Sequence, residues 1–576
     1  MHSCSPSNMQ AHRISEDKID AELFYRRLEF LIAFWKARGQ GTDDPGTDKL
    51  KSCGGIVLGE AHPYTKTRAL QVFLCGRPLL STLILITPYS ASFLCSEDEA
   101  ENLVSLVHLP QDRMNDKINV KVIVKPVKLA AANLAMEAFL TSIEEVTLKT
   151  GKKVGCLRDG EPIEDDFMNE WNDFLESSGK KSLFSKAPNI SAGVSVFLAS
   201  KQPQEIRHTE VACQMSGELM SAVRSEIINQ IGSKEKTTRI CGNLRDLIQR
   251  KHEEGSIWKG AKYKPDVDPT FGYLCYSPTI QAGSKYDRRK SSRTGADEQL
   301  DATEIILVHL GTQYRSYNSD VSRTVMIEPH PSQEANYDFL LDLQKFAISI
   351  MKEGAGANLV YHAIKTKVAA DRPELESHLP KSFGSGLGVE FGDPFLSLKP
   401  KCTRVLKTKM IFSLSLSFTK LKDPMETDKT YSLQLTDTVL VGEEGSMVLS
   451  DLPKELSQIT FFRHHPASKD LAQVQDGHSP ARSFGQGDAD NDGSITGETT
   501  IPEGARSKRP RSFPEEADDA TKRQKVASSS SPPNHCDVNF RSTSPEKRAH
   551  EEEEDGDDRW PIFKQMGRFL NRLMHV

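Results

Sequence analysis

Residues 306–329 read ILVHLGTQYRSYNSDVSRTVMIEP and are the part of the sequence most informative about the fold. Its apolar ends predict one strand over Glu304–Leu310 and a second over Arg323–Ile327. The Gly- and Asn-containing segment between them predicts a turn. Two residues of metal-ligating type, His309 and Asp320, therefore lie on a strand-and-turn unit.

This stretch resembles the signature of the pita-bread metallopeptidases, which include methionine aminopeptidase, aminopeptidase P and creatinase. Their pattern is roughly V-D-x-G-x-x-x-x-G-Y-x-S-D-x-x-R-T, in which both aspartates bind metal. Residues 383–394, FGSGLGVEFGDP, are similar to the family's F-G-H-G-I-G-L-E-V-H-E-x-P. Met410–Phe418 and Gln434–Val441 fit its two later strands, each with one metal-binding glutamate. The four stretches follow in the family's order, so the resemblance implies the pita-bread fold.

Carried over position by position, the resemblance also locates the metal ligands. The five positions hold His309, Asp320, Ser385, Ser415 and Thr436. Two hard cations held close together need several carboxylates, because their mutual repulsion must be neutralised. Only Asp320 keeps its ligand type, and Gly392 replaces the substrate-side histidine. The resemblance therefore implies a pseudo-peptidase with no catalytic residue, no metal and no cofactor.

Among non-catalytic proteins with this fold, the chain is most similar to the large subunits of the FACT histone chaperone. Residues 65–107, Phe167–Leu175 and Ser284–Thr324 carry this resemblance, which covers residues 15 to about 455. It implies an α/β (α+β) fold of two-lobed, aminopeptidase P/creatinase-like architecture. The expected parts are a disordered N-terminus (1–14), an N-terminal α/β lobe (15–200), a pita-bread lobe (201–455) and a disordered tail (456–576). The dimerisation and middle domains of FACT large subunits are not in the sequence, so a truncated form is expected.

Composition limits the class of protein. The 576 residues predict three or four units, and a net charge of −6 does not indicate a nucleic-acid binder. The ten cysteines include no C-x-x-C pair, which argues against zinc and disulfide frameworks. Without a signal peptide or a run of about eighteen apolar residues, we expect an intracellular, soluble protein with no membrane partner.

Upstream of residue 306, strands alternate with helices, which predicts an α/β layer with parallel pairing. Apolar spacing predicts helices over Asp17–Arg38, from about Pro203, and over Leu244–Glu253. Residues 39–55 are expected to form a loop. Val194–Ala199 is expected to be the strand that closes the first lobe.

The tail contains two basic clusters in a segment whose composition predicts disorder over residues 466–558. The clusters comprise Lys508, Arg509 and Arg511, followed by Lys522, Arg523 and Lys525. Their spacing resembles a bipartite nuclear import signal, which predicts a protein of the nucleus and the chromosome. The alternative is a charge mixture that only keeps the tail soluble.

The C-terminal part joins an acidic run to two aromatic residues. These residues are Glu551, Glu552, Glu553, Glu554, Asp555, Trp560 and Phe563. FACT large subunits end in acidic tracts with embedded aromatics, so the resemblance implies a histone-binding tail, steered by charge and anchored by the rings. A solvated acidic tail and a basic amphipathic helix over residues 560–576 are the alternatives.

Two other motifs indicate no site. Residues 488–499, DADNDGSITGET, resemble a calcium-binding loop but have Thr499 where the bidentate glutamate belongs. The basic run from Lys285 to Arg293 has no interleaved aromatics, so a solvated loop is expected there.

The function expected from the resemblance is that of a FACT-type subunit or truncated paralogue. Histones are the expected partner, DNA only an indirect one, and the missing dimerisation domain puts a FACT small subunit in doubt. Nucleosome opening and reassembly in transcription, replication and repair would follow. The alternatives are an active metallo-aminopeptidase or proline dipeptidase with unusual ligands, and a truncated duplicate without function.

Overall fold

The computed structural model describes residues 18–37, 46–59, 63–107, 118–158, 166–230, 263–276, 278–281 and 304–462, with isolated positions between 239 and 258. The predictions for residues 1–14 and for the tail after Phe462 lie outside these residues. So do the calcium-like loop, the basic run at Lys285–Arg293 and most of the expected helix at Leu244–Glu253.

The first lobe is organised around a five-stranded sheet with strand order β4-β3-β2-β1-β5. The strands are β1 (Gly55–Leu58), β2 (Thr82–Thr87), β3 (Ser90–Cys95), β4 (Asn119–Val124) and β5 (Val154–Cys156). The predicted parallel pairing is correct for β3 with β4 and for β1 with β5. It is wrong for the other two pairs, which are antiparallel. The two residues between β2 and β3 can join only antiparallel neighbours, because a parallel connection needs a crossover.

Helices cover both faces of this sheet. They are α1 (Ala21–Lys36), α2 (Thr47–Lys51), α3 (Lys66–Cys75), α4 (Glu97–Val107), α5 (Leu129–Thr150), α6 (Asp166–Ser177), α7 (Lys181–Ser185) and α8 (Ser191–Ala199). Alternate residues of β2 face opposite layers: Ile84 packs with α1, α3 and α8, and Leu85 packs with α5 and α6. Asp20 caps α1 by accepting a hydrogen bond from Leu23 N at 3.0 Å. Burying each large apolar side chain of α1 stabilises the lobe by about 2 kcal/mol.

Two expectations for the first lobe are wrong. Val194–Ala199 is not a strand but the end of α8, whose sequence SAGVSVFLA is buried on nearly every side. A short apolar run with β-branched residues cannot be assigned to helix or strand by periodicity alone. Residues 39–55 are not only loop, because they contain α2 and the first residue of β1.

The second lobe contains a nine-stranded sheet in the order β13-β12-β14-β15-β11-β8-β7, with two short strands paired to β15 and β11. These strands are β7 (Thr279–Gln281), β8 (Glu304–Leu310), β11 (Val321–Ile327), β12 (Gly384–Gly386), β13 (Asp393–Ser397), β14 (Ile411–Lys422), β15 (Thr430–Val441), β16 (Ser446–Val448) and β17 (Thr460–Phe461). A separate three-stranded sheet has the order β10-β9-β6. Its strands are β6 (Gly272–Leu274), β9 (Thr312–Tyr314) and β10 (Tyr317–Asn318).

Helices of the second lobe pack against the large sheet. They are α9 (Pro203–Gln230), α10 (Pro331–Ile350), α11 (Ala357–Asp371) and α12 (Leu456–Ile459), with 3-10 turns at Pro269–Phe271 and Pro373–His378. The helix predicted from Pro203 is confirmed, and its Val223 and Ile227 pack on β8 and β11. The predicted strands at 304 and 323 are confirmed as β8 and β11. In the part of the chain that is described, no helix is both long and apolar enough to cross a bilayer.

Candidate functional site

The five positions derived from the metallopeptidase pattern lie on neighbouring strands of the large sheet. His309 is on β8, Asp320 directly precedes β11, Ser385 is on β12, Ser415 is on β14 and Thr436 is on β15. Antiparallel register places Ser415 opposite Thr436. It also places Ser322 opposite both Thr436 and His309. The strand order therefore gathers these positions on one face.

Asp320 is the only carboxylate among them and is buried, with four hydrogen-bond partners. Its Oδ1 lies 2.7 Å from His309 Nε2 and accepts a hydrogen bond from the Tyr276 hydroxyl at 2.9 Å. Ser413 Oγ donates to Oδ2 at 2.7 Å, and the backbone N of Asp320 donates to Thr438 Oγ1 at 3.0 Å. Burial acts to raise the pKa of Asp320, but the imidazole and the donated hydrogen bonds outweigh it, so the pKa lies below its usual value.

Ser415 and Thr436, at the two positions where the metallopeptidase pattern has glutamates, belong to a neutral hydrogen-bonded group. Thr436 Oγ1 donates to Ser415 Oγ at 2.8 Å, and Ser322 Oγ donates to Thr436 Oγ1 at 2.7 Å. Ser385 differs from them, because its buried Oγ has no hydrogen-bond partner in the part of the chain that the structure describes. The structure thus brings His309 to Asp320 and Ser415 to Thr436, while Ser385 joins neither group by a hydrogen bond.

The donor set at these positions does not suit two divalent cations. It offers one carboxylate, one imidazole and neutral hydroxyls, whereas a pair of hard cations needs several carboxylates. The hydroxyls of Ser415 and Thr436 are also engaged in hydrogen bonds with each other and with Ser322. Among the described residues, no three His, Cys, Asp or Glu side chains are grouped as metal ligands.

Sequence reasoning missed three residues of this cluster: Tyr276, Ser413 and Ser322. Ser413 and Ser415 are two residues apart on β14 and share a face, so strand alternation could have identified Ser413. Tyr276 reaches Asp320 across 44 residues of sequence, and no local pattern signals that contact.

A second buried group, also missed, holds β11 to β15. Arg323 Nη2 donates to Asp437 Oδ1 at 2.6 Å, and Lys454 Nζ donates to Oδ2 at 2.9 Å. Gln344 Nε2 and Ser450 Oγ complete the set of donors to this carboxylate at 3.0 and 2.8 Å. Burial acts to raise the pKa of Asp437, but the two cations outweigh it and lower the pKa.

A third group joins the two lobes. Lys66 of α3 is buried and lies 2.7 Å from Glu390 and 3.0 Å from Asp393 of the second lobe. Burial acts to lower the pKa of Lys66, but these carboxylates outweigh it and raise the pKa. Ser195 of α8 also donates to Asp393, and Arg404 donates to Ser195 Oγ at 2.6 Å.

A small cleft opens beside this ionic group, between α8 and β12. Residues of both lobes line it, and its charged residues are Lys201, Glu205, Glu390 and Asp393. Burial lowers the pKa of Lys201, while the nearby carboxylates oppose that shift. Tyr317 donates to Glu205 Oε1 at 3.0 Å across the cleft wall. The cleft thus offers a small concave surface with charged side chains between the two lobes.

Comparison with known proteins identifies both lobes. Residues 19–191 match the FACT complex subunit SPT16 N-terminal lobe domain, and residues 207–443 match metallopeptidase family M24. The chain is 31% identical to the FACT complex subunit SPT16 of Candida glabrata over 78% of this chain and 43% of that protein. It is 30% identical to the SPT16 subunit of Mycosarcoma maydis, and that alignment covers 77% of this chain and 42% of the relative. The chain therefore spans less than half the length of these relatives.

Solved structures agree with the two-lobed fold. The N-terminal domain of SPT16 from Eremothecium gossypii superposes with a TM-score of 0.68 at 27% identity, covering 78% of this chain and all of that domain. The prolidase of Pyrococcus horikoshii superposes with a TM-score of 0.51 at 19% identity, covering 75% of this chain and 99% of the prolidase. The expected pita-bread architecture is confirmed.

Proposed function

Since residues 19–191 match the SPT16 N-terminal lobe domain and most of the chain is similar to SPT16 subunits, we propose that this chain is a FACT-type histone chaperone subunit. It binds histones and assists nucleosome disassembly and reassembly in transcription, DNA replication and repair. Two observations support this most: residues 19–191 match the SPT16 N-terminal lobe domain, and 78% of the chain aligns with the SPT16 subunit of Candida glabrata at 31% identity. The proposed division remains an α/β lobe to residue 200, a pita-bread lobe to 455 and a tail from 456.

The proposed mechanism is competition for basic histone segments. Such segments lie on DNA phosphates in a nucleosome, and acidic surfaces of this chain would bind them when they detach. Glu205 and Glu390 make the cleft between the lobes a candidate peptide site, because a cleft retains its concave shape when its former chemistry is gone. Histones are thus the direct partner, and DNA is reached only through them.

Histone binding by the full chain tests the proposal directly. We expect the purified chain to retain H2A–H2B dimers or H3–H4 tetramers in a pull-down at physiological salt. Equilibrium titration should give micromolar or tighter dissociation constants. An equally acidic unrelated protein is the control. Binding no stronger than that control for either histone pair would refute the proposed function.

The peptidase alternative predicts bound metal and cleavage, and we expect neither. The neutral hydroxyls at Ser415 and Thr436, with Ser385, leave too little negative charge for two cations. After incubation with cobalt, manganese or zinc and removal of free metal, elemental analysis should give well below one ion per chain. Xaa-Pro dipeptides should remain intact, with the Pyrococcus prolidase as positive control. Two metals per chain together with N-terminal cleavage would instead establish an enzyme.

The basic clusters of the tail are proposed to direct the chain to the nucleus and the chromosome. Changing Lys508, Arg509, Arg511, Lys522, Arg523 and Lys525 to alanine should leave a fluorescent fusion in the cytoplasm, because import receptors bind accessible Lys/Arg clusters. A matched variant with Arg482, Arg541, Lys547 and Arg548 changed to alanine should still enter the nucleus. Nuclear accumulation of both variants would show that the clusters are not the signal.

The acidic-aromatic segment Glu551–Phe563 is proposed to bind histones through both charge and rings. Its proposed contacts are Glu551, Glu552, Glu553, Glu554, Asp555, Trp560 and Phe563. In the full chain, Trp560→Ala with Phe563→Ala should weaken histone-dimer binding roughly tenfold, since buried aromatic anchors contribute more than 1 kcal/mol each. Phe513→Ala with Phe540→Ala, which removes two other tail aromatics, should change little. Equal affinities for both double variants would leave only electrostatic attraction.

A further inference from the structure

The first-lobe sheet ends in a strand whose outer side is unpaired among the described strands. This strand, β4, pairs in parallel with β3, and within the described ranges no other strand pairs with it. Asn119 N donates to Tyr89 O at 3.0 Å, and Lys125 N donates to Cys95 O at 2.8 Å. Alternate residues of a parallel strand bond to the same neighbour, so the odd-numbered residues of β4 bond to β3. The N–H and C=O groups of the even-numbered residues point outward, and these residues are Val120, Val122 and Val124.

The side chains of these outward residues form one apolar row. Val120 and Val122 pack in the same cluster as Leu106 of α4. Ile123 packs with the helices on the opposite face of the sheet. Because side chains alternate along a strand, Val124 continues the row on the α4 side, where it is 40% exposed. The edge thus combines unpaired backbone groups with β-branched apolar side chains.

Exposed valines also flank both ends of β4. The helix α4 returns from the end of β3 to the start of β4, because two parallel strands need such a crossover. Val104 and Val107, at the C-terminal end of α4, therefore lie near the start of β4, and they are 48% and 46% exposed. Val127, just past the end of β4, is 90% exposed. We call this surface the valine edge, which comprises Val104, Val107, Val120, Val122, Val124 and Val127. Exposed apolar surface beside an unpaired strand is typical of an interaction site.

We infer that the valine edge pairs with the valine edge of a second copy of this chain. A two-fold axis perpendicular to the sheet makes two identical edge strands antiparallel. With Val122 at the centre, Val122 lies opposite Val122 of the partner subunit, and Val120 lies opposite Val124 of the partner subunit. All of these residues point outward, so each such pair exchanges two backbone hydrogen bonds. The sheets of the two copies thereby join into one continuous sheet.

The same two-fold axis makes the two ends of the valine edge complementary. It brings the start of β4 in one copy to the end of β4 in the other. Val104 and Val107 therefore meet Val124 and Val127 of the partner subunit, and the contact removes exposed apolar surface from water at both ends. An isolated peptide strand would pair with the backbone but leave the valines of α4 exposed. The placement of the valines thus favours a second copy over an extended peptide.

Two lysines select the register of this pairing. With Val122 at the centre, Lys121 lies opposite Ile123 of the partner subunit. Moving the centre to residue 121 or to residue 123 would place Lys121 opposite Lys121 or Lys125 of the partner subunit, respectively. Like charges directly opposite each other destabilise an antiparallel pair. Charge therefore favours the same register that gives the three outward valine pairs.

Sedimentation equilibrium of the full chain at micromolar concentrations tests the pairing. The wild-type chain should give twice its mass of 64.1 kDa. Val122→Pro removes an outward N–H but no bond to β3, and proline is compatible with such an edge position. It should weaken the dimer at least about tenfold, since each copy loses a hydrogen bond and leaves a carbonyl of the other unpaired. Val104→Glu with Val107→Glu should also weaken it at least about tenfold, because two charges in each copy would then be buried against apolar surface.

The matched control is Leu359→Glu with Val405→Glu. These side chains are 64% and 44% exposed in the second lobe, so the control adds the same charge at two aliphatic positions away from the valine edge. It should dimerise as the wild-type chain does. A wild-type chain that stays monomeric throughout the range would overturn the proposal. Equal dimer affinity of this control and both valine-edge variants would overturn it as well.

The register is tested by Ile123→Glu against Ile123→Lys. Both changes remove the same side chain from its own chain, but they place opposite charges next to Lys121 of the partner subunit. Ile123→Glu should therefore dimerise at least about fivefold more tightly than Ile123→Lys. Adding Lys121→Gln to each should remove that difference. Equal affinities of the two Ile123 variants would contradict the pairing. No histone enters these measurements, so their outcome is independent of the test of histone binding.

Discussion

Replacing Arg323 by methionine should destabilise the pita-bread lobe by about 3 to 5 kcal/mol, because it leaves the Asp437 carboxylate buried without its main cation. Asp437 is fully buried and Arg323 is 2% exposed, so water cannot replace the lost hydrogen bonds. Lys454 remains at 2.9 Å, but its side chain is partly exposed and compensates only in part.

Denaturant unfolding of the full chain, followed by fluorescence, measures this loss. The matched control is Arg372→Met, which removes an arginine whose ion pair with Glu374 lies at the surface of the same lobe. It should cost roughly 1 kcal/mol or less. Adding Asp437→Leu to Arg323→Met should recover part of the stability, since the remaining charge, that of Lys454, is partly exposed to water. If Arg323→Met costs no more than Arg372→Met, the group does not stabilise the lobe as inferred.

The same group sets the response to acid. The pKa of Asp437 is lower in the folded chain than in the unfolded one, so its stabilisation is complete above the unfolded value of about 4. That stabilisation is lost as the pH falls through the folded pKa. Removing Arg323 raises the folded pKa toward the unfolded one, so the acid-unfolding midpoint of Arg323→Met should move to higher pH.

Replacing Lys66 by methionine should separate the unfolding of the two lobes. Lys66 of α3 forms ion pairs with Glu390 and Asp393 of the second lobe, and its loss leaves these two carboxylates close together at the junction. Two carboxylates without a shared cation repel each other, and the stability lost should be about 3 kcal/mol or more.

Scanning calorimetry distinguishes this outcome from general destabilisation. The wild-type chain should unfold its two lobes in one transition, and Lys66→Met in two, with the first below the wild-type temperature. Lys49→Met, which changes an exposed lysine of α2, serves as the control and should leave one transition. A single transition for Lys66→Met at the wild-type temperature would show that other contacts hold the lobes together.

Elements whose apolar pattern matches their final secondary structure could be predicted from the sequence. The strands predicted at 304–310 and 323–327 were predictable because their apolar runs are short and a turn segment lies between them, although the second begins at Val321. α8 was not, because SAGVSVFLA is buried nearly all round and its β-branched residues favour a strand in isolation. The antiparallel pairing of β2 with β3 could have been read from the two residues that join them.

In the candidate site, the positions of the residues could be predicted from local motifs, but their long-range hydrogen bonds could not. The positions of His309, Asp320, Ser385, Ser415 and Thr436 follow from motif order along the chain. Their hydrogen bonds do not, since Ser413 reaches Asp320 across 93 residues of sequence and Tyr276 across 44. Lys66 lies at the start of a helix with nothing local to mark it, and its partners are more than 300 residues away.

The bonds among Ser322, Ser415 and Thr436 also bear on how the lobe is assembled after synthesis. These hydroxyls satisfy one another as soon as β11, β14 and β15 come together. Where strands end in several ionised carboxylates, their repulsion opposes closure of the sheet until a cation arrives, and folding is then linked to metal supply. At Ser322, Ser415 and Thr436 this sheet closes with neutral groups. The yield and rate of folding should accordingly be the same in metal-starved and metal-replete cells.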